Sequence, residues 1–159
     1  MTIGFRCDIQ GIFYRAVDAA HADAALAGSR RAGRYSAPDQ PTLYLSASRQ
    51  GVAAAMIAHV TGEATRTVLG FDVTATDIFD LRDQAAIARV RAAAGDPFGA
   101  WQQAVDSGAE PASWRARRWI EAQGANGLID PSRQAPGLWH LVLFRWNVPG
   151  APTVLPVHW

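Results

Sequence analysis

The stretch from residue 138 to 146 constrains the fold more than any other part of the chain. Along it, Leu141, Leu143 and Arg145 alternate with a second set of side chains. That second set consists of His140, Val142, Phe144 and Trp146. Successive side chains of a β-strand point to opposite faces, so this pattern predicts a strand. The chain is therefore expected to contain a β-sheet.

Apolar spacing elsewhere predicts further strands and helices. Val52, Met56 and Val60 recur at helical spacing, with Ser48 before them as an N-cap and Gly62 beyond the end. The other expected elements are strands at residues 13–17, 43–46, 68–79 and 127–132, a helix or tight loop at 19–27, helices at 80–94, 98–105 and 113–123 (the last capped by Ser113), and an extended or peripheral tail from residue 148. No repeat or linker divides residues 1–159, so we expect one α+β domain.

Composition narrows the possible partners and compartment. Apolar residues make up 49% of the chain, which supports a packed core, and the formal net charge is only +1. Binding to nucleic acid or to an anionic membrane needs a surface of one sign, so we expect neither as a partner. The single cysteine, Cys7, excludes an intrachain disulfide and fits a reducing compartment. Without a recognisable signal peptide or spanning segment, the sequence predicts a cytoplasmic, soluble protein.

The common short catalytic motifs are absent from the sequence. It contains no P-loop, no G-x-G-x-x-G, no G-x-S-x-G, no H-E-x-x-H and no cysteine pair. The four histidines lack metal-ligand spacing, so no metal is expected, and glutamate occurs only at positions 63, 110 and 121. A site in this chain must therefore rely on Arg, Tyr, Ser and His side chains.

Residues 28–41 predict a loop that carries basic side chains. All 15 basic residues of the chain are arginine, and this loop contains Arg30, Arg31 and Arg34 among glycine, proline and small polar residues. Guanidinium groups beside a flexible backbone suit a phosphate or carboxylate ligand. A solvated surface turn of the same composition is the alternative.

Five short motifs, taken in order, resemble the RES domain, the toxin half of many bacterial toxin–antitoxin pairs. They are Phe13-Tyr14-Arg15-Ala16, Gly33-Arg34-Tyr35-Ser36, Leu43-Tyr44-Leu45-Ser46, Gly127-Leu128-Ile129-Asp130-Pro131-Ser132 and Leu141-Val142-Leu143-Phe144. The resemblance covers roughly the whole chain. It implies a compact, ADP-ribosyltransferase-like (diphtheria-toxin-like) fold with a split, mainly antiparallel sheet and flanking helices.

The same resemblance implies a set of site residues. The family's Arg, Tyr and Ser correspond to Arg34, Tyr44 and Ser132, whereas its Glu corresponds to Ala55 in this sequence. One helical turn beyond Ala55 lies His59, either as a functional substitute for that Glu or as a structural histidine. For the other three, the alternatives are a turn arginine, a half-buried strand tyrosine and a Pro-Ser turn cap.

The resemblance further implies that NAD is consumed as a substrate. Arg34, with Arg31, would hold the pyrophosphate, Tyr44 would stack on the nicotinamide, and Ser132 would hydrogen-bond the amide or a ribose hydroxyl. Implied partners are a cognate antitoxin and a host protein that accepts ADP-ribose. Two alternatives stay open: an NAD glycohydrolase or phosphorylase, and an inactive interaction module. The helix face that carries Trp114, Arg115, Arg117, Arg118 and Trp119 fits either antitoxin binding or a solvated surface.

Overall fold

The computed structural model describes residues 4–56 and 66–157, which form six strands, four α-helices and a 3-10 helix. The strands are β1 (Arg6–Asp18), β2 (Leu43–Ser46), β3 (Arg66–Asp80), β4 (Gly127–Pro131), β5 (Trp139–Leu143) and β6 (Thr153–Pro156). The helices are the 3-10 helix (Ala19–Ala27), α1 (Arg49–Met56), α2 (Gln84–Ala94), α3 (Trp101–Asp106) and α4 (Ala112–Ala122). None of these described helices has the length and apolar character needed to cross a bilayer.

The strands form one sheet in the order β1-β2-β5-β4-β3-β6, which closes on itself because β1 also pairs with β3. That pairing runs from Arg6 opposite Phe79 to Asp18 opposite Arg66, with a bulge after Cys7. The result is a five-stranded barrel with β6 added to β3, in which only β3 and β4 are parallel. The α+β class and the mainly antiparallel pairing are confirmed. The expected split of the sheet is wrong, because the long β1–β3 ladder joins its two ends.

Strand β5 separates two buried layers, as its alternation predicts. Leu141 and Leu143 point into the barrel core, together with residues such as Phe13 and Phe71. Val142 faces outward, into a second core formed with α2 and α4. Residues on this outer face therefore lie between the sheet and the helices. Near the strand ends, the same face carries polar side chains.

Several element boundaries differ from the sequence-based expectations. Ser48 caps α1 as expected, since its Oγ accepts a hydrogen bond from the Gly51 amide at 3.0 Å. Helix α2 begins at Gln84 rather than at residue 80, because β3 extends to Asp80 and the Asp83 carboxylate caps the helix. The predicted end of the first helix, residues 57–60, lies outside the described residues.

The expectation for Ser113 is wrong, and that for the C-terminal tail is resolved in favour of one alternative. Ser113 does not cap α4: the helix begins at Ala112, and the Ser113 hydroxyl donates instead to the Arg34 carbonyl oxygen. The tail is extended rather than peripheral, since β6 pairs with β3 and Val154 is fully buried. Asn147 holds the tail in place by donating to and accepting from the Val154 backbone at 3.0 and 2.8 Å.

Candidate functional site

Four polar side chains form a row across the outer face of the barrel. Tyr14 of β1 lies opposite Ser46 of β2, Ser46 lies opposite His140 of β5, and His140 lies opposite Asp130 of β4. Directly opposed residues of neighbouring strands project on the same face, so these four side chains lie side by side. Ser46 Oγ and His140 Nδ1 are 2.9 Å apart, within hydrogen-bond distance.

Asp130 connects this row to the arginine-bearing loop. Its carboxylate is 5% exposed and accepts a 2.8 Å hydrogen bond from the Tyr35 hydroxyl. Arg133 donates to both carboxylate oxygens, at 2.8 and 2.9 Å, in a bidentate pair. Burial and the nearby Asp130 carboxylate raise the pKa of Tyr35 well above its ordinary value, so Tyr35 remains a hydrogen-bond donor.

The loop that carries Arg34 is folded tightly around the Tyr44 hydroxyl. That hydroxyl accepts from the Tyr35 amide at 3.1 Å and is 2.7 Å from Ser36 Oγ. A Cβ atom built at Gly33 would lie only 2.7 Å from the same oxygen. Gly33 therefore permits a close approach that no other residue type allows without displacing the tyrosine.

Helix α4 holds the same loop from the other side. Trp114 Nε1 donates to the Gly33 carbonyl at 2.8 Å, Ser113 donates to the Arg34 carbonyl, and Arg117 donates to the Tyr35 carbonyl at 3.0 Å. Three successive carbonyl groups are thus fixed by three side chains of one helix. Arg117 is only 2% exposed, so this residue of the Trp- and Arg-rich side of α4 is an internal clamp and fits neither the solvated surface nor the antitoxin-binding face considered from the sequence.

The clamped loop places the Arg34 guanidinium beside that of Arg133. Arg34 is half-buried, and its Nη1 donates to the Gly99 carbonyl at 2.7 Å. Burial, and then the positive charge of Arg133, lower the pKa of Arg34. Burial also opposes the charged form of Arg133, but hydrogen bonding to Asp130, the charge of that carboxylate and Tyr35 together outweigh burial and raise its pKa. The carboxylates near Arg34 are those of Asp130, which Arg133 binds, and Asp96, which lies 3.4 Å from Arg91, so the Arg34 guanidinium is the group left to bind an anion.

Comparison with known proteins identifies the family. The chain matches the RES domain over residues 12–158. It belongs to the RES domain family. Among solved structures it resembles the crystal structure of the M. tuberculosis MbcT–MbcA toxin–antitoxin complex, with a TM-score of 0.61 and 22% identity over 96% of this chain and 84% of that one. At this identity the match shows a shared fold. No curated protein sequence matches the chain.

Within this RES domain, two of the predicted site residues are linked through Tyr35. The hydroxyl of Tyr44, on β2, accepts a hydrogen bond from the amide of Tyr35, the residue after Arg34. Ser132 lies at the same end of the sheet, two residues beyond Asp130. Ser132 is 9% exposed, and its Oγ accepts from the Ala135 amide at 3.1 Å, as in the turn-cap alternative.

The other three positions singled out from the sequence are an exposed loop residue, a residue of α1 and a residue outside the described ranges. Arg31 is exposed on the loop, and its carbonyl accepts from the Ser29 hydroxyl at 3.5 Å. Ala55 lies in α1. His59, the candidate substitute for the missing Glu, lies outside the described residues.

Sequence reasoning missed four residues that the structure places at the centre of the site, namely Tyr35, Asp130, Arg133 and His140. A signal for two of them was present. Asp130 is the one charged residue of an otherwise apolar strand, and His140 shares a strand face with Val142 and Phe144. A polar side chain in such a position needs partners. Here Tyr35 and Arg133 are the partners of Asp130, and Ser46 is the partner of His140.

Proposed function

We propose that this RES domain is the toxin of a toxin–antitoxin pair, consumes NAD, and transfers ADP-ribose to a host protein. The family assignment supports the toxin role, as does the fold shared with a protein that was crystallised in a toxin–antitoxin complex. The cognate antitoxin is the corresponding proposed partner. The chemistry of the site supports a dinucleotide as the substrate.

The observation that carries the proposal is the pair of guanidiniums from Arg34 and Arg133. They come from segments far apart in sequence and are held close together although the charge of Arg133 lowers the pKa of Arg34. Within the fold Arg133 pairs with Asp130 and Arg34 donates to a neutral carbonyl, so a bound anion would be the charged partner of Arg34. A pyrophosphate carries two negative charges and offers oxygens to both groups, which suits NAD.

Tyr44 provides the second element of the proposed substrate site. Its hydroxyl is occupied by the Tyr35 amide and the Ser36 hydroxyl. Burial raises the pKa of Tyr44 above its ordinary value, so Tyr44 is neither a base nor a nucleophile at neutral pH. What remains for a ligand is the aromatic ring, which can stack on the nicotinamide.

The reaction itself needs little acid catalysis. When the bond between the nicotinamide nitrogen and ribose C1′ breaks, both electrons leave with nicotinamide, which becomes neutral. Positive charge then develops on the ribose, so the site accelerates the reaction by binding this state more tightly than NAD. Position 55 lacks the family Glu, so this residue cannot activate water, and we expect transfer to a protein acceptor to be favoured over hydrolysis.

The experiment that tests the proposal follows both halves of NAD. Purified protein is incubated with NAD labelled in the adenylate half, with and without host lysate, and released nicotinamide is measured. Transfer predicts that nicotinamide release depends on lysate and that label and mass increase appear on one protein. Free labelled ADP-ribose without lysate would instead indicate a glycohydrolase, and its 1″-phosphate would indicate a phosphorylase.

Matched arginine variants test the proposed anion site. Arg34→Ala should reduce nicotinamide release by about 100-fold or more, because it removes a charge from the pyrophosphate site. Arg89→Ala, at an exposed position on α2, should leave the rate unchanged. No nicotinamide release by the unmodified protein under any of these conditions would refute the proposal and favour an interaction module.

A further inference from the structure

His140 belongs to the row of polar side chains on the outer face. Its two ring nitrogens have different surroundings. Nδ1 lies 2.9 Å from Ser46 Oγ. Among the residues that the structure describes, none forms a hydrogen bond with Nε2. When the proton resides on Nδ1 and is donated to Ser46, the lone pair of Nε2 is left to accept a proton.

The groups around the ring keep it neutral and ready to accept a proton. Burial is the main cause that lowers the pKa of His140 below its ordinary 6.5, and the positive charge of Arg133 acts in the same direction. Asp130, in the neighbouring strand, opposes this shift and would stabilise the imidazolium once it forms. On the other side of Ser46 lies Tyr14, the last member of the row. The Arg49 guanidinium lies 5.1 Å from the centre of the Tyr14 ring.

The row and the proposed substrate site are continuous. Tyr44 lies two residues before Ser46 on the same face of β2, about 7 Å away along the strand. Asp130 lies beside His140 and also binds Tyr35 and Arg133, which belong to the substrate site. A ribose held between Tyr44 and the two arginines would therefore lie next to the imidazole.

On the basis of the proposed function, we propose that His140 is the proton acceptor for the group that attacks the ribose. As the acceptor oxygen bonds to C1′, the C1′–nicotinamide bond breaks and its electron pair leaves with nicotinamide. The acceptor O–H proton passes to His140 Nε2, and the resulting imidazolium later releases it to solvent. Ser46 is a positioning residue, because it is 6% exposed and holds the ring through Nδ1.

The decisive variant is His140→Asn, whose amide can still hydrogen-bond Ser46 but cannot accept a proton at neutral pH. We expect nicotinamide release to fall by about 100-fold or more while the affinity for NAD stays within about twofold. The unmodified protein should lose activity as the pH falls through the lowered pKa of His140, because protonation removes the lone pair. His140→Asn should lack this acid limb. His21→Asn, at an exposed histidine of the 3-10 helix, is the matched control and should behave as the unmodified protein.

Ser46 variants separate a positioning role from a structural one. Ser46→Ala should reduce the rate of nicotinamide release and weaken the loss of activity at acid pH. Ser46→Thr, which retains the hydroxyl, should restore both. These variants also test the proposal if His140→Asn fails to fold, as judged by circular dichroism and thermal unfolding.

Each outcome of these measurements supports or overturns the proposal. If the unmodified protein releases no nicotinamide, the proposed function and this inference both fail. If it is active and folded His140→Asn or Ser46→Ala keeps the full rate and the acid limb, only the inference fails. It also fails if the limb is lost in His59→Ala and retained in His140→Asn.

Discussion

Replacing Arg117 with methionine tests whether α4 holds the arginine-bearing loop. Arg117 donates to the Tyr35 carbonyl at 3.0 Å, to Thr42 Oγ1 at 2.8 Å and to Glu121 at 3.1 Å, and its guanidinium lies 4.5 Å from the centre of the Phe144 ring. Methionine keeps the apolar stem of the side chain and removes all three hydrogen bonds. The bond to Glu121 counts least, because that carboxylate is 43% exposed.

The expected loss of stability follows from the two buried acceptors. A buried polar group without a partner costs about 1–3 kcal/mol. Thr42 still donates to the Gln40 carbonyl at 3.1 Å, so its cost falls at the lower end of that range. We therefore expect Arg117→Met to lower the free energy of unfolding by about 3 kcal/mol. For a chain of this length, that corresponds to a Tm lower by roughly 6–12 °C.

The assay is urea and thermal unfolding of Arg117→Met beside Arg118→Met. Arg118 is the next residue of the same helix, but it is 52% exposed and paired only with the exposed Glu110, so its replacement should cost less than about 1 kcal/mol. A loss below about 1 kcal/mol for Arg117→Met, or equal losses for the two variants, would show that the clamp contributes little to stability.

Two further predictions concern the sheet. Gly127→Ala should lower the free energy of unfolding by about 2 kcal/mol or more. The new Cβ would clash with the Val142 carbonyl oxygen, so the backbone must move. Urea unfolding of this variant at the same midpoint as the unmodified protein would contradict the packing described. Although burial opposes it, hydrogen bonding by Arg82 lowers the pKa of Asp80 below its ordinary 3.8. The resulting stabilisation is full above pH 3.8, is lost as the pH falls through the lowered pKa, and should be absent in Asp80→Asn, as acid titration of unfolding would show.

The sequence predicts the strands and their faces well because these depend on local patterns. The alternation in β5 correctly assigns Leu141 and Leu143 to one layer and Val142 to the other. Closure of the barrel was not predicted, because it depends on pairing between β1 and β3, and periodicity within each strand carries no information about its partner.

The sequence predicts only those parts of the candidate site that stand in local motifs. Arg34 and Tyr44 stand in short local motifs, and the structure links them through the Tyr35 amide. Asp130, Arg133 and His140 become recognisable as site residues only when β4 and β5 lie beside β2 and the loop. Ser113 illustrates the opposite error, because a residue type that often caps helices here binds the backbone of a distant segment instead.

The pairing of β2 with β5 has a consequence for the order of events during synthesis. Leu43 is hydrogen-bonded in register with Leu143, so the strand that supplies His140 reaches the ribosome exit long after the loop that supplies Arg34. Contacts this distant along the chain form late in folding, because loop closure must precede them. A nascent chain therefore keeps Tyr14 and Ser46 without their neighbours His140 and Asp130 until β4 and β5 have emerged.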